Sequence, residues 1–382
     1  MTSVPPVPVL FVDHAAALGG AEKCLLLLFE HLDAASIVPH LATSAGLLAD
    51  HARALGVRVH EVPLPRLRRQ AGAPWRLVAG AAALTRIVRR ERIALIASHS
   101  ARADLYAALA ARCTHCRLVW HVHELVRARL HRRVMCATCD AAVAVSAAVA
   151  AVLPRSDKVH VIRNGVRTAD FAVLPKDRAA ALRRRWGVPA DATLVGQVAR
   201  LQPWKGQRDV IAAAEVLLRD RPDLYVVIVG GDVFGDAVAY ERALRADVSE
   251  RGLDGRVVFA GHVTDIVAVL GALDVMVHAS PAEPFGTILL EAAAAGVPIV
   301  AYDGGGVPEL LADEVTALLV PAGDWHALSG GIVRLVDDRR LARALAARAQ
   351  VTVQRWFDVR PWVRDVQALL LEVAARRGGQ VG

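Results

Sequence analysis

The chain has 382 residues, 54% of them hydrophobic and 22% charged, and at roughly 150 residues per domain that length argues for two domains, not one core. No apolar run approaches the roughly 18 to 20 residues of a membrane span, and MTSVPPVPVLFVDH has no basic segment ahead of its apolar stretch, so a cytoplasmic globular protein is expected. The net charge of +8 divides into +10 over residues 1–165 and −2 over the rest. That split suggests an N-terminal half facing something anionic, with a generally Arg-rich composition as the plainer reading.

Two halves alternate β-branched runs with helical patterns, as parallel sheets with crossover helices do. The first half opens with VPVLFVDH as a strand, the turn LGGAE and the helix KCLLLLFEHL. It continues through IALIASHS, CRLVWHVHE, AAVAVS and VHVIRNGV as strands. The second half restarts at ATLVGQVARL and repeats the scheme through LYVVIVGGD, RVVFAGHV, DVMVHAS, VPIVAYD and ALLVP. This predicts an α/β protein of two Rossmann-like, doubly wound parallel-sheet domains. Residues 1–170 form the first domain and 191–355 the second. Residues 171–190, charged and interrupted by Pro175 and Pro189, read as a linker, and 356–382 as a helix returning to the first domain.

Ligands of open parallel sheets sit beyond the carboxyl ends of the strands, so the loops that follow the strands are the informative ones. Gly19 and Gly20 let backbone approach a ligand just before a helix N-terminus, where N–H groups favour an anion. No Walker A sequence and no G-x-G-x-x-G follows either opening strand, which excludes the usual NTPase and dinucleotide phosphate loops. Arg200 and Lys205 share one strand-end loop and could clamp a diphosphate, Arg as a fork and Lys as a point charge.

In SPAEPFGTILLEAAAAGVPIV, Glu291 follows Glu283 by eight positions. On one helix that is about 12 Å, too far for the carboxylate pair of a glycoside hydrolase. Pro284 and Gly286 instead place Glu283 in the loop before the helix. Glu283, the first-turn amides of Gly286 to Ile288, and Glu291 could then line one elongated ligand. A lone Glu on an Ala-rich helix needs a hydrogen-bond partner if buried, and ligand hydroxyls would supply it.

These motifs together resemble the family 4 glycosyltransferases, retaining enzymes of the GT-B fold. The E-x7-E signature is Glu283 to Glu291, followed by AGVPIVAYDGGGVPEL. GGAE at 19–22, HVHE at 121–124, VAVS ending at Ser146, IRNGV at 162–166 and RLQPWKG at 200–206 match in order. The resemblance implies two domains facing a cleft and a sugar donor carrying UDP or GDP. It implies that Glu283 holds donor-sugar hydroxyls, that Phe285, Gly286, Thr287 and Ile288 present amides to sugar and phosphate, and that Glu291 binds the ribose. Arg200 and Lys205 would neutralise the diphosphate leaving group, and Gly20 would bring backbone close to it. His123 would face the reacting sugar, with His121 on the same strand face. One departure is Ala199, where the family has Gly. No Asp-x-Asp motif is present, in keeping with the family's metal-independent chemistry, and no nucleic-acid partner is implied.

Cys113-x2-Cys116 and Cys136-x2-Cys139 have the spacing of a four-thiolate zinc site. Each pair precedes a strand, so a structural zinc at the amino ends of the first sheet is one expectation and four reduced thiols the other. Pro65 to Ile93 combines a basic loop with an apolar helix ending in Arg86, Arg89, Arg90 and Arg92. It could dock on an anionic membrane that carries a lipid-linked acceptor; an ordinary crossover helix is the plainer reading. A sugar-nucleotide 2-epimerase and a non-catalytic sugar-nucleotide-binding subunit are the rival functions.

Overall fold

The computed structural model describes residues 5–66, 73–232 and 237–376. It consists of two compact units, Met1–Gly165 with Val359–Gly382, and Val166–Asp358.

The first unit runs β1 (Val7–Val12), α1 (Gly20–His31), β2 (Ile37–Thr43), α2 (Leu47–Ala54), β3 (Arg58–Glu61), α3 (Ala73–Arg90), β4 (Leu95–Ser98), α4 (Ala101–Thr114), β5 (Arg117–Val122), α5 (Arg129–Thr138), β6 (Ala141–Ala144), α6 (Ala147–Ala151) and β7 (Val159–Val161). Its seven parallel strands lie in the order β3-β2-β1-β4-β5-β6-β7. Helices cover both faces of such a sheet, so the central strands are largely apolar, and Val9, Leu10, Phe11 and Val12 are fully buried. Strands β2 and β3 were not legible in the sequence. Pro39 interrupts β2, and β3 is a short polar edge strand, the form that discourages sheet-to-sheet association.

The second unit runs α7 (Lys176–Arg185), β8 (Thr193–Val198), α8 (Gln207–Arg219), β9 (Leu224–Val229), α9 (Val238–Glu250), β10 (Val257–Gly261), α10 (Ile266–Ala272), β11 (Val275–His278), α11 (Thr287–Ala294), β12 (Ile299–Asp303), β13 (Leu318–Pro321), α12 (Trp325–Asp337) and α13 (Arg339–Trp356). Its six parallel strands lie in the order β10-β9-β8-β11-β12-β13. The last helix, α14 (Val359–Ala375), belongs to the first unit, where Trp362, Val363, Val366 and Leu370 join the core built from Phe11, Leu25, Leu28 and Val119.

Residues 171–190 are not a linker. They contain α7, which packs on α10, and Arg183 pins it there, donating to the Ala272 carbonyl at 2.8 Å, the Ala192 carbonyl at 2.9 Å and Asp274 Oδ2 at 2.7 Å. Apart from Arg183, the charges that suggested a solvated linker lie on the outer face of this helix.

Helix α11 explains the run of alanines in AEPFGTILLEAAAAG. Ala292, Ala293 and Ala294 are fully buried, and small side chains there let the helix pack closely on α13, with Gln350 Nε2 donating to the Ala294 carbonyl at 2.8 Å. Gly296, at φ +68°, ends it in a left-handed cap, and Val297 N donates back to the Ala292 carbonyl at 3.0 Å.

Candidate active site

In each sheet the strand order reverses at one place, between β1 and β4 in the first unit and between β8 and β11 in the second. Loops diverge there and leave a crevice at the carboxyl ends of the strands.

In the second unit that place is formed by the loops after β8 and β11. The β8 loop is held from below by two buried glutamines. Gln197 Nε2 donates to the Lys205 carbonyl at 2.6 Å and Gln207 Nε2 to the Arg200 carbonyl at 2.8 Å. Gly206, at φ +71°, closes the loop so tightly on β11's continuation that a Cβ would sit 1.9 Å from the Ala279 carbonyl oxygen. Gly230 likewise packs on Ala199, where an added Cβ would lie 1.8 Å from the Ala199 carbonyl oxygen. Backbone proximity at position 199 therefore serves a neighbouring loop.

This framework brings Lys205 to Glu283. Lys205 Nζ donates to Glu283 Oε2 at 2.6 Å, and His278 Nε2, at the end of β11, reaches the same oxygen at 3.0 Å. Burial by itself pushes the Glu283 carboxyl up, but the Lys205 charge and the His278 hydrogen bond outweigh it and hold the group well below the usual carboxylate range. Burial lowers Lys205 from the ordinary lysine value, Glu283 opposes that, and the charge of Arg200 adds to the lowering. The two directions describe one ionised pair under the field of a second cation. His278 Nδ1 is buried with no hydrogen-bond partner.

The Glu283 loop is itself held by three consecutive glycines after β12. A Cβ on Gly304 would lie 2.2 Å from the Pro281 carbonyl oxygen, on Gly305 2.1 Å from that of Glu283, and on Gly306 2.6 Å from that of Pro284. Gly306 N donates to the Glu283 carbonyl at 2.7 Å. Phe285 is buried, Gly286 at φ +95° caps α11, Thr287 and Ile288 form its half-buried first turn, and Glu291 stands half-buried one turn further on. The structure thus gathers Arg200, Lys205 and Glu283 around one ion pair, with the N-terminus of α11 continuing from it. Lys205, with the Arg200 charge beside it, offsets the Glu283 carboxylate, and the positive end of the helix follows, an arrangement that could receive a diphosphate.

In the first unit, Gly19 and Gly20 stand at the N-terminus of α1. Glu22 Oε2 accepts the Gly19 N–H at 2.8 Å, while no atom lies within 4 Å of where a Gly20 Cβ would be. Gly20 is therefore the open side of the turn.

Registers Val12↔Ser98 and Ser98↔Trp120 place Asp13, His99 and His121 side by side at the ends of β1, β4 and β5. His123 follows two residues after His121. Ring centroids are 4.1 Å apart for His99 and His121 and 5.6 Å for His99 and His123, and His123 Nε2 lies 3.4 Å from His99 Nδ1. Burial, with the neighbouring rings adding to it, holds His99 well below the ordinary histidine value and His121 at about 3; burial alone holds His123 at about 4. All three are neutral imidazoles at pH 7.

The four cysteines do not assemble as expected. Among the described residues the one group of His, Cys, Asp or Glu side chains whose ligand atoms converge is His99, His121 and His123. Cys113 is exposed, Cys116 Sγ faces the Ile93 carbonyl at 3.6 Å, and Cys139 Sγ faces the Cys136 carbonyl at 3.9 Å. Burial pushes the thiols of Cys116 and Cys139 up to about 12, so without a metal both are protonated at pH 7. The pairs sit at separate helix ends, Cys113 and Cys116 across the end of α4 and Cys136 and Cys139 across the end of α5.

His278, His99 and Gln197 were missed in the sequence. His278 and His99 end or directly follow strands in DVMVHAS and IALIASHS, so the strand-end rule that found Arg200 also reaches them.

Two family models match the chain: glycosyltransferase family 4 over residues 18–170 and glycosyl transferases group 1 over residues 179–352. D-inositol 3-phosphate glycosyltransferase of Saccharomonospora viridis is 35% identical over 219 residues, 56% of this chain and 49% of that protein. The lipopolysaccharide core biosynthesis mannosyltransferase LpsB of Rhizobium meliloti is 32% identical over 60% of this chain and 65% of its own length. These alignments thus span about half to two thirds of the curated relatives. The Anabaena protein HepE, solved in complex with UDP-glucose, superposes with a TM-score of 0.84 at 26% identity over 96% of this chain and 99% of that one. WaaG, a glycosyltransferase of lipopolysaccharide biosynthesis, shares the fold at a TM-score of 0.72 and 15% identity, over 95% and 99% of the two chains. With both family models matched in order along two parallel-sheet units, the chain belongs to the family 4 glycosyltransferases and has their GT-B fold.

Proposed function

We propose that the protein is a retaining glycosyltransferase that moves a sugar from a UDP- or GDP-type donor to a glycan or lipid-linked acceptor without a catalytic metal. The observation that carries this reading is the Lys205–Glu283 pair at 2.6 Å, beside Arg200 and the N-terminus of α11. Breaking the anomeric C–O bond builds negative charge on the nucleoside diphosphate. Arg200, Lys205 and the amides of Phe285 to Ile288 are fixed before that charge appears, so they stabilise it without reorganising.

Glu283, kept ionised by Lys205 and His278, would accept hydrogen bonds from sugar hydroxyls. Glu291 would accept from the ribose. HepE, 26% identical along nearly its whole length, was solved with UDP-glucose, which supports a nucleotide-sugar donor. In the first unit Gly20 would approach the diphosphate and His123, neutral at pH 7, would accept a hydrogen bond or proton without first losing one. Same-face attack with the departing phosphate assisting the acceptor hydroxyl would give retention.

For the acceptor, a cytoplasmic enzyme working at the inner membrane face is the proposed setting. No described helix is long and apolar enough to cross a membrane. Trp75 and Val78 of α3 are exposed, and Arg86, Arg89 and Arg90 follow on the same helix. The basic segment before them falls at 67–72, outside the described residues. Co-sedimentation with anionic vesicles at low salt tests that part.

The enzymatic claim is tested by incubating the protein with UDP- and GDP-sugars and resolving the products. Release of free nucleoside diphosphate with transferred or hydrolysed sugar of retained anomeric configuration supports transfer. An epimerised sugar would identify a 2-epimerase, and unchanged donors that nonetheless bind would identify a non-catalytic subunit.

A further inference from the structure

We propose that His99, His121 and His123 form a binding site for one divalent transition-metal ion of the zinc type at the strand ends of the first unit. One ring nitrogen of each residue lies within 4.8 Å of one ring nitrogen of both others. The placement follows from topology. Neighbouring strands β4 and β5 in register put His99 beside His121, and the two-residue period of a strand brings His123 to the same side. The ring planes lie within 29° of one another.

Two features distinguish this group from an ordinary stack of core histidines. His99 Nε2 and His121 Nε2 are both buried without a hydrogen-bond partner, although buried polar atoms are almost always paired. A metal ion satisfies several nitrogen lone pairs at once, which one water between three stacked rings cannot do as well. The donor set also selects the ion. Three imidazoles and no carboxylate suit zinc, cobalt or nickel and not magnesium or calcium. Nitrogens around a tetrahedral zinc stand about 3.3 Å apart and imidazole lone pairs lie in the ring plane, so binding requires the stacked rings to turn toward the ion as they close on it. An open fourth position would remain for water or another ligand.

The site rests on the transfer reading above only in sharing His123 with it, and the transfer chemistry itself is proposed to need no metal. A bound ion would occupy His123, so metal would oppose transfer and not assist it.

The test uses the full chain, stripped of metal with chelator and titrated with Co2+ in the absence of donor and acceptor. The expected result is one Co2+ per chain with visible d–d absorption, no thiolate charge-transfer band, and loss of binding in His99→Gln but not in a variant lacking Cys113 and Cys136. Displacement of Co2+ by Zn2+ should follow. Should His99→Gln fail to fold, hyperfine-shifted imidazole protons in the NMR spectrum of the wild-type cobalt protein identify the ligands directly. Absence of saturable binding, a thiolate band, or binding unchanged by His99→Gln would overturn the proposal. Because no sugar nucleotide is present, failure here leaves the transferase reading untouched.

Discussion

Lys205 and Glu283 stand 78 residues apart in sequence and 2.6 Å apart in space, joined across the point where the second sheet reverses its strand order. Both side chains are largely buried, so removing one partner leaves an uncompensated charge. Lys205→Met should destabilise the protein by about 3 kcal/mol, and adding Glu283→Gln should recover most of that loss. Urea unfolding of the single and double variants gives the comparison. Equal losses in both would mean that the pair is not coupled.

The depressed Glu283 pKa sets a pH signature. A carboxyl held below its unfolded value of 4.5 contributes stability that is complete above that pH and is lost as pH falls toward the folded value. The stability difference between wild type and Glu283→Gln should be constant near neutrality and shrink on acidification below about pH 4.5. Denaturant titrations along a pH series measure it.

Asp13 carries the opposite sign. Burial, reinforced by the nearby Glu22 charge, raises its pKa from 3.8 to about 8. The folded chain then holds a proton that the unfolded chain has released, so this group's contribution declines as pH rises between those values. Asp13→Asn should gain stability over wild type from acid to mildly alkaline pH. A difference independent of pH would show that Asp13 is not protonated in the fold.

Two glycines with nearly equal backbone angles separate conformation from contact. Gly206 and Gly252 have φ of +71° and +68°, but a Cβ would lie 1.9 Å from a carbonyl oxygen at Gly206 and meet nothing within 4 Å at Gly252. Gly252→Ala should cost about 1 kcal/mol, the penalty of the left-handed conformation alone. Gly206→Ala should cost about 3 kcal/mol and displace Lys205, its neighbour in the loop.

Thiol labelling of the folded protein should modify Cys113 first and leave Cys139 and Cys24 untouched, in line with their exposure. Uniform protection of all four paired cysteines would revive the expectation of a thiolate zinc site.

The legible part of this protein was the part set by short-range pattern. Apolar strand runs, Gly turns and strand-end loops gave the second sheet, the first sheet without β2 and β3, the place of Arg200 and Lys205, and the division of Glu283 into loop and Glu291 into helix. What stayed hidden depended on distant partners. The engagement of Glu283 by His278 and Lys205 requires β11 beside β8, and His99 meets His121 only because β4 pairs with β5. The roles of Gly304 to Gly306 are equally nonlocal, since each glycine is needed by a carbonyl on another loop. Charge misled at 171–190, where basic and acidic residues decorate the outside of a packed helix.

In the proposed function the ion pair, the cations and the N-terminus of α11 hold the diphosphate of a nucleotide whose ribose reaches Glu291. Thermal unfolding of wild type and Glu291→Ala with UDP, GDP, ADP and dTDP tests it most directly. A nucleotide at 100 times its dissociation constant adds about 2.7 kcal/mol of stability. With UDP or GDP the wild type should show a rise in Tm that the variant loses; no rise with any of the four, or an equal rise in the variant, would overturn the assignment.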